Sequence, residues 1–229
     1  MRWQGTVPYA EALELQRKHV EARRAGVAGD VLLLLEHPAV VTLGRNAREE
    51  NLRVSRAELR RRGVEVHEVA RGGDVTYHGP GQLVGYLVAD LQARGEPDVI
   101  RCVRTMERAL IEALGSLGVE GYTRNGSTGV FATPRGAGSP RKIASIGLGL
   151  RGWVTYHGFA LNTSLDLRAF DVIVPCGLHD VVMTSLRCEL ADAPPDLDAR
   201  ARVVVEQSFR RHFEARVGPT ARGAAERRA

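Results

Sequence analysis

Two residues stand out as able to do covalent chemistry. Cys176 lies between Pro175 and Gly177, directly after the apolar run Val172 to Val174. A thiol at the end of a buried strand, with a rigid residue on one side and a flexible one on the other, is presented to a cleft. At a pKa near ~8.5 it is mostly protonated at neutral pH, and an adjacent ammonium would stabilise the thiolate. Of the 32 Lys plus Arg residues, only Lys18 and Lys142 are lysines. Guanidinium keeps its charge in proteins, so a lysine retained in so arginine-rich a chain is a candidate for proton exchange. Lys18 falls in a charged helical stretch and reads as a solvated side chain, whereas Lys142 sits beside a β-like run. His78 and His157 are rival bases, and either would make the site resemble a Cys/His hydrolase. Inert packing is the competing role for any lone cysteine in an apolar setting. Cys102 takes that role within a helical stripe, and Cys188, in the helical turn Thr184 to Leu190, has no comparable presentation.

The second unusual feature is the stretch from Arg71 to Tyr86, where glycines and a proline are interleaved with a cation, tyrosines and a histidine. Glycine lets main chain approach a ligand closely, and the polar side chains between would face whatever is bound. Isolated Gly-Gly and Pro-Gly pairs would suggest a plain hairpin. The β-branched and aromatic neighbours instead suggest a strand, a tight loop and a second strand lining a cavity. Val75-Thr76-Tyr77-His78-Gly79 recurs unchanged as Val154-Thr155-Tyr156-His157-Gly158. Either the small alphabet of strand ends explains the repeat, or two strands ending in His-Gly meet at the rim of one pocket.

Composition bounds the rest. A chain of 229 residues can bury a sizeable core, and we expect one domain over residues 1–217 with a short polar tail over 218–229. The longest apolar run, Val31 to Leu35, is too short to cross a bilayer, and no apolar leader follows Met1, so a cytoplasmic protein without membrane contact is expected. Three scattered cysteines suggest neither disulfides nor zinc. The seven histidines show no metal-binding spacing, so no metal is expected. The net charge of +5 could attract nucleic acid or an acidic protein. Aromatics make up 5% of the chain and are not interleaved with the arginines, which argues against nucleic acid.

The positioning elements follow in order. Residues 2–7 read as a strand, and Pro8 opens a helix to about Gly26 with Ala12, Leu15, His19 and Ala22 on one face. Val31–Leu35 is a doubly buried strand and Ala39–Leu43 a second extended piece, with His37 a hydrogen-bonded corner between them. Ser55 and Glu58 form a capping box for a short helix closed by Gly63, and Val64–Val69 is a strand. Asp98 caps an amphipathic helix that Gly118 stops. Strands follow around Asn125-Gly126, then a mobile loop over Thr133–Pro140, then strands from Lys142 to Leu150 and Trp153 to Asn162. A helix spans Asp196–Val217 with Val205, Phe209 and Phe213 inward. Strands with few helices and two hairpin-like links give an α/β class with a mixed β-sheet.

Several blocks together resemble the octanoyltransferase family of lipoate biosynthesis. They are Arg71-Gly72-Gly73 with Thr76, His78, Gly79, Pro80, Gly81, Gln82 and Tyr86, then Lys142-Ile143-Ala144 with Ile146-Gly147, then His157-Gly158 with Ala160-Leu161-Asn162, then Pro175-Cys176-Gly177. Glu36-His37-Pro38 with Thr42, Gly44 and Arg45 is similar too. The blocks keep the family's order from about Leu32 to Leu186, and the 133–140 loop and the tail carry none of it. The resemblance implies the biotin/lipoate protein ligase-like fold, a mixed sheet with packed helices. It implies that an octanoyl group passes from octanoyl-acyl carrier protein, through a Cys176 thioester assisted by Lys142, to a specific lysine. The acceptors would be lipoyl domains of 2-oxoacid dehydrogenases and the glycine-cleavage H protein, and no cofactor is needed. Acyl-contacting positions map to Arg71, Gly72, Gly73, Asp74, Val75, Thr76, Tyr77 and His78, to Ser145, Ile146 and Gly147, and to Gly158, Phe159 and Ala160. Gln82 and His157 are further candidates to line the site. The rivals are an ATP-dependent lipoate or biotin ligase, a cysteine thioesterase, and a non-enzymatic acyl-protein or nucleic-acid binder. No adenylate-type glycine-arginine loop is present for the first.

Overall fold

Strand β2 (Val31–Glu36) sorts the molecule into layers. Successive side chains of a strand point to opposite faces. Leu32 and Leu34 enter a core with helices α3 (Val99–Ser116), the single-turn α4 (Leu186–Glu189) and α5 (Leu197–Glu214), while Leu33 and Leu35 meet helix α1 (Tyr9–Arg24) on the other face. The computed structural model describes residues 1–133, 138–177 and 180–214. Half of the predicted 133–140 loop, the last turn of the predicted C-terminal helix and the 218–229 tail lie outside the described residues.

Among the described residues, eight strands form the large sheet. Its order is β1 (Arg2–Thr6), β2, β6 (Gln82–Val88), β10 (Val154–Asn162), β9 (Arg141–Arg151), β8 (Ser127–Ala132) and β7 (Gly121–Arg124), with β11 (Val182–Met183) beside β9. The β1–β2 and β9–β11 pairs are parallel and the others antiparallel, so the sheet is mixed as expected. A smaller sheet holds β4 (Glu65–Glu68), β3 (Val40–Leu43) and β5 (Val75–His78), with its own core around Leu59, Tyr77, Phe170 and Ile173. Leu59 comes from helix α2 (Arg56–Arg61), whose first turn is capped by Ser55 accepting from the Glu58 N–H. The reciprocal half of the capping box does not form, because the Glu58 carboxylate pairs with Arg61 and Arg62.

The chain leaves the large sheet at the His37 corner and returns at Gly79–Gly81, so the strand, tight loop and second strand of the glycine-rich stretch belong to different sheets and make no plain hairpin. Gly81, at φ +80, makes the return possible, and a β carbon there would lie 2.7 Å from the Leu165 N. The two corners are tied by the Gly81 N–H donating to Glu36 Oε2 at 3.1 Å. The α1 face is also corrected. Tyr9, Ala12, Gln16 and Val20 are its buried residues, because Gln16 turns inward to accept the His157 N–H at 2.7 Å.

Candidate active site

Cys176 is not at the end of a strand. Val172 closes a 3-10 turn, Ile173 bridges to Leu52, and Val174 is tied by its N–H to Asn51 O at 2.8 Å. The chain then turns tightly, and Cys176 adopts φ 57°, ψ 18°. Left-handed backbone in a residue other than glycine costs roughly 1–3 kcal/mol and persists only where its surroundings enforce it. Asp74 is part of that enforcement. Its Oδ2 accepts from Asn51 Nδ2 at 2.6 Å and would sit 2.8 Å from a β carbon on Gly177.

Lys142, in β9, is 3% exposed, and its Nζ donates to Thr128 O at 2.8 Å and approaches Cys176 Sγ at 3.7 Å. The Nζ also lies 5.5 Å from the centre of the Phe131 ring. A buried ammonium is costly unless it has partners. The carbonyl and the ring supply some of the compensation, and a Cys176 thiolate would supply the counter-charge. Ser145, on the same strand as Lys142, places its hydroxyl 3.9 Å from the sulfur.

Cys176 opens onto a cavity of about 480 Å³, counted with its open mouth, at the seam between the two sheets. Arg71, Gly72, Gly73, Asp74, Thr76 and His78 form the wall on the small-sheet side. Ser145, Ile146 and Gly147 of β9 and His157, Gly158, Phe159 and Ala160 of β10 form the other. Val75 and Tyr77, expected at the site, alternate to the far face of β5 and fill the small core, Tyr77 edge-on to Phe170. Gln82 does not line the cavity. It holds the wall from behind, accepting from His78 Nδ1 at 2.7 Å and donating to Asn162 Oδ1 at 2.9 Å. The repeated pentapeptide behaves differently at its two occurrences. Strand β5 ends at His78, whereas β10 runs on through His157, which takes φ +59°. Sequence reasoning missed Tyr9 as a lining residue, and nothing in the sequence ties it to the site. Val84 and Tyr86, also in the lining, belong to the second strand of the glycine-rich stretch expected to line a cavity.

The aromatic wall is uncharged at neutral pH. His37 donates from Nδ1 to Val7 O at 2.7 Å and accepts at Nε2 from the Tyr86 hydroxyl at 2.6 Å, and burial pushes its pKa down to about 4. Burial holds His78 well below the usual range and, with the positive fields of Arg71 and Arg45, takes His157 down to about 3. Neither imidazole is then a competent base near neutrality. Burial raises Tyr9 to about 12 and holds Tyr86 well above the usual phenol range. Arg71, also buried, directs its guanidinium to Thr42 O at 2.9 Å, Thr42 Oγ1 at 2.8 Å and Gly72 O at 3.1 Å. Such a lining suits a hydrocarbon chain with a polar head near Cys176 and Arg71.

Residues 8–209 match the lipoyl protein ligase A/B catalytic domain. An octanoyltransferase of Acidobacterium capsulatum is 51% identical over 196 residues, covering 83% of this chain and 80% of that one. One of Solibacter usitatus is 47% identical over 214 residues, covering 93% and 90%. The chain belongs to the octanoyltransferase family. It is an acyltransferase of protein lipoylation. Solved structures share its architecture at low identity. The bipartite lipoate protein ligase of Thermoplasma acidophilum has a TM-score of 0.68 at 18% identity, covering 93% of this chain and 84% of that one. A lipoate-protein ligase A bound with ATP has a TM-score of 0.67 at 18% identity, covering 93% and 86%. At that identity they show the fold alone, which is the ligase-like fold expected from the sequence.

In this octanoyltransferase the thiol and the amine come from distant parts of the chain, and the large sheet brings them together. Pairing of β11 with β9, Val182 opposite Arg141 and Met183 opposite Lys142, returns the segment after Cys176 to the strand that carries the lysine. Among the described residues no group of three or more His, Cys, Asp or Glu side chains could hold a metal ion, and no helix is long and apolar enough to cross a membrane.

Proposed function

We propose that the enzyme transfers an octanoyl group by way of a Cys176 thioester, with Lys142 moving the protons. The observation that carries this reading is the 3.7 Å approach of the Lys142 Nζ to the Sγ of Cys176, which lines the cavity. The reacting pair is a thiolate and an ammonium. The sulfur attacks the carbonyl of the donor thioester, the bond to the donor sulfur breaks, and the departing thiolate takes a proton from Lys142. The amine, now neutral, faces an acyl-Cys176 with no negative charge beside it. An acceptor lysine attacks that thioester as a neutral amine and gives its proton to Lys142. The amide forms, Cys176 leaves as thiolate, and the starting pair is restored. Thioester exchange costs little, and amide formation drives the sequence. Peptide N–H groups beside Cys176 or in the glycine-rich segment steady the oxyanions.

The donor is octanoyl-acyl carrier protein, and the acceptors are lipoyl domains of 2-oxoacid dehydrogenases and the glycine-cleavage H protein, all in the cytoplasm. Such partners are typically acidic, and a chain of net charge +5 favours their encounter. The acyl chain lies between the 71–78 wall and the 145–147 and 158–160 wall. Incubating the protein with octanoyl carrier protein and a lipoyl domain, without ATP, should give an octanoylated domain. Cys176→Ser should show no acyl-enzyme by mass. Lys142→Arg, which keeps the charge but cannot release the proton, should lose transfer by roughly 10²–10⁴-fold. An ATP requirement, or wild-type rates for Lys142→Arg, would refute the mechanism.

A further inference from the structure

Packing alone does not explain Glu107. It is fully buried in α3, among neighbours such as Met106, Ala109 and Leu110 that fill the apolar core. Its carboxylate has two partners. Arg104 Nη1, on a half-exposed side chain, donates to Oε2 at 2.7 Å, and the backbone N–H of Gly129 donates to Oε1 at 3.0 Å. That N–H belongs to the same peptide unit as Thr128 O, which accepts from Lys142 Nζ at 2.8 Å. A planar trans peptide points its N–H and C=O in opposite directions. One rigid unit therefore has a buried carboxylate at one end and the lysine ammonium at the other.

The local backbone serves that arrangement. Gly129 sits at φ +119°, and a β carbon on it would come within 2.4 Å of Ala144 O and 3.0 Å of Lys142 Cε. The register between β8 and β9 shifts one residue later, between Val130 and Phe131. A neutral acceptor could hold the Gly129 N–H without the cost of a buried charge. The charge points to an electrostatic task.

We propose that Glu107 is a positioning residue for Lys142, acting through the Thr128–Gly129 peptide. Its carboxylate fixes the direction of that peptide and polarises it, which makes the Thr128 carbonyl a stronger acceptor and favours the ammonium form of Lys142. The effect on rate rests on the proton-carrying reading of Lys142 given above, but the electrostatic link itself does not.

The chain has only two lysines, which makes the link directly measurable. Protein labelled with ¹³C at lysine Cε and carrying Cys176→Ser, so that no thiolate shares the titration, should show two resonances by NMR. Lys18→Arg assigns them. Glu107→Gln keeps the shape and an accepting oxygen but removes the charge, and should lower the Lys142 midpoint while leaving Lys18 unmoved. Arg104→Gln, at a half-exposed position, removes the counter-charge and should raise the midpoint. Unchanged midpoints overturn the proposal, and if Glu107→Gln does not fold, the absence of an upward shift in Arg104→Gln does so alone. With Cys176 restored, the limb of the pH–rate profile that belongs to Lys142 should move to lower pH by the same amount in Glu107→Gln. If Lys142→Arg transfers octanoyl at the normal rate, the catalytic reading fails, while the titration still judges the link.

Discussion

Gly129→Ala tests how closely the site depends on one backbone conformation. The new methyl group would stand 2.4 Å from Ala144 O, a backbone atom of the neighbouring strand that cannot swing aside, and 3.0 Å from Lys142 Cε. Its φ of +119° is one that side chains rarely adopt, and holding alanine there costs roughly 1–3 kcal/mol. Relieving the overlap means parting β8 from β9, a further cost of roughly 1–3 kcal/mol. About 4 kcal/mol in a chain of this size lowers Tm by about 10 °C. Activity should fall further than stability, because a displacement of Lys142 by the better part of an ångström costs up to ~10²-fold in rate even in fully folded protein. Chemical denaturation and octanoyl transfer at 25 °C, both on Gly129→Ala, separate the two effects. Gly126→Ala is the control. Gly126 has φ +76°, but a β carbon there meets nothing within 4 Å, so it carries the backbone strain of roughly 1–3 kcal/mol without the overlap, and an unchanged rate is expected. A Gly129→Ala protein with native Tm and native kcat would refute the account of this peptide.

Two further outcomes follow from the cavity wall. His37, at about 4, and His157, at about 3, are neutral when folded and near ~6.5 when unfolded. Acid therefore protonates the unfolded chain first: their contribution is whole above pH ~6.5 and is lost as pH falls through the folded values. Tm should drop between pH ~6.5 and ~4, and His37→Asn should make that drop shallower; equal slopes in differential scanning would reject the assignment. Ala160→Leu, at a position lining the cavity, should slow acylation by octanoyl donors while sparing a butanoyl donor, and equal losses for both chains would place the acyl tail elsewhere.

Much of this was legible in the sequence. Periodicity and caps gave β2, α3 and α5, since Asp98, Gly118 and the Val205, Phe209, Phe213 stripe act locally. The scarcity of lysine singled out Lys142, and the Pro-Cys-Gly setting singled out Cys176. Sheet membership was not legible. A strand, a glycine turn and a strand look the same whether they fold back as a hairpin or cross to another sheet, and Gly79–Gly81 does the latter. Period-two alternation sends Val75 and Tyr77 away from a site that Thr76 and His78 face, a distinction the resemblance did not draw. The burial of Gln16 and Glu107 was hidden for another reason. Both are polar, both sit on helices beside apolar stripes, and each is drawn in by a backbone N–H from a distant strand.

The two sheets carry separate apolar cores, and the cavity is the seam where they meet. A fatty tail lying there would act as mortar between two finished walls. Each methylene taken out of water adds up to about 0.8 kcal/mol of adhesion. If the acyl chain of the proposed thioester occupies that seam, the loaded enzyme is the more cohesive form, and handing over its cargo gives that adhesion back.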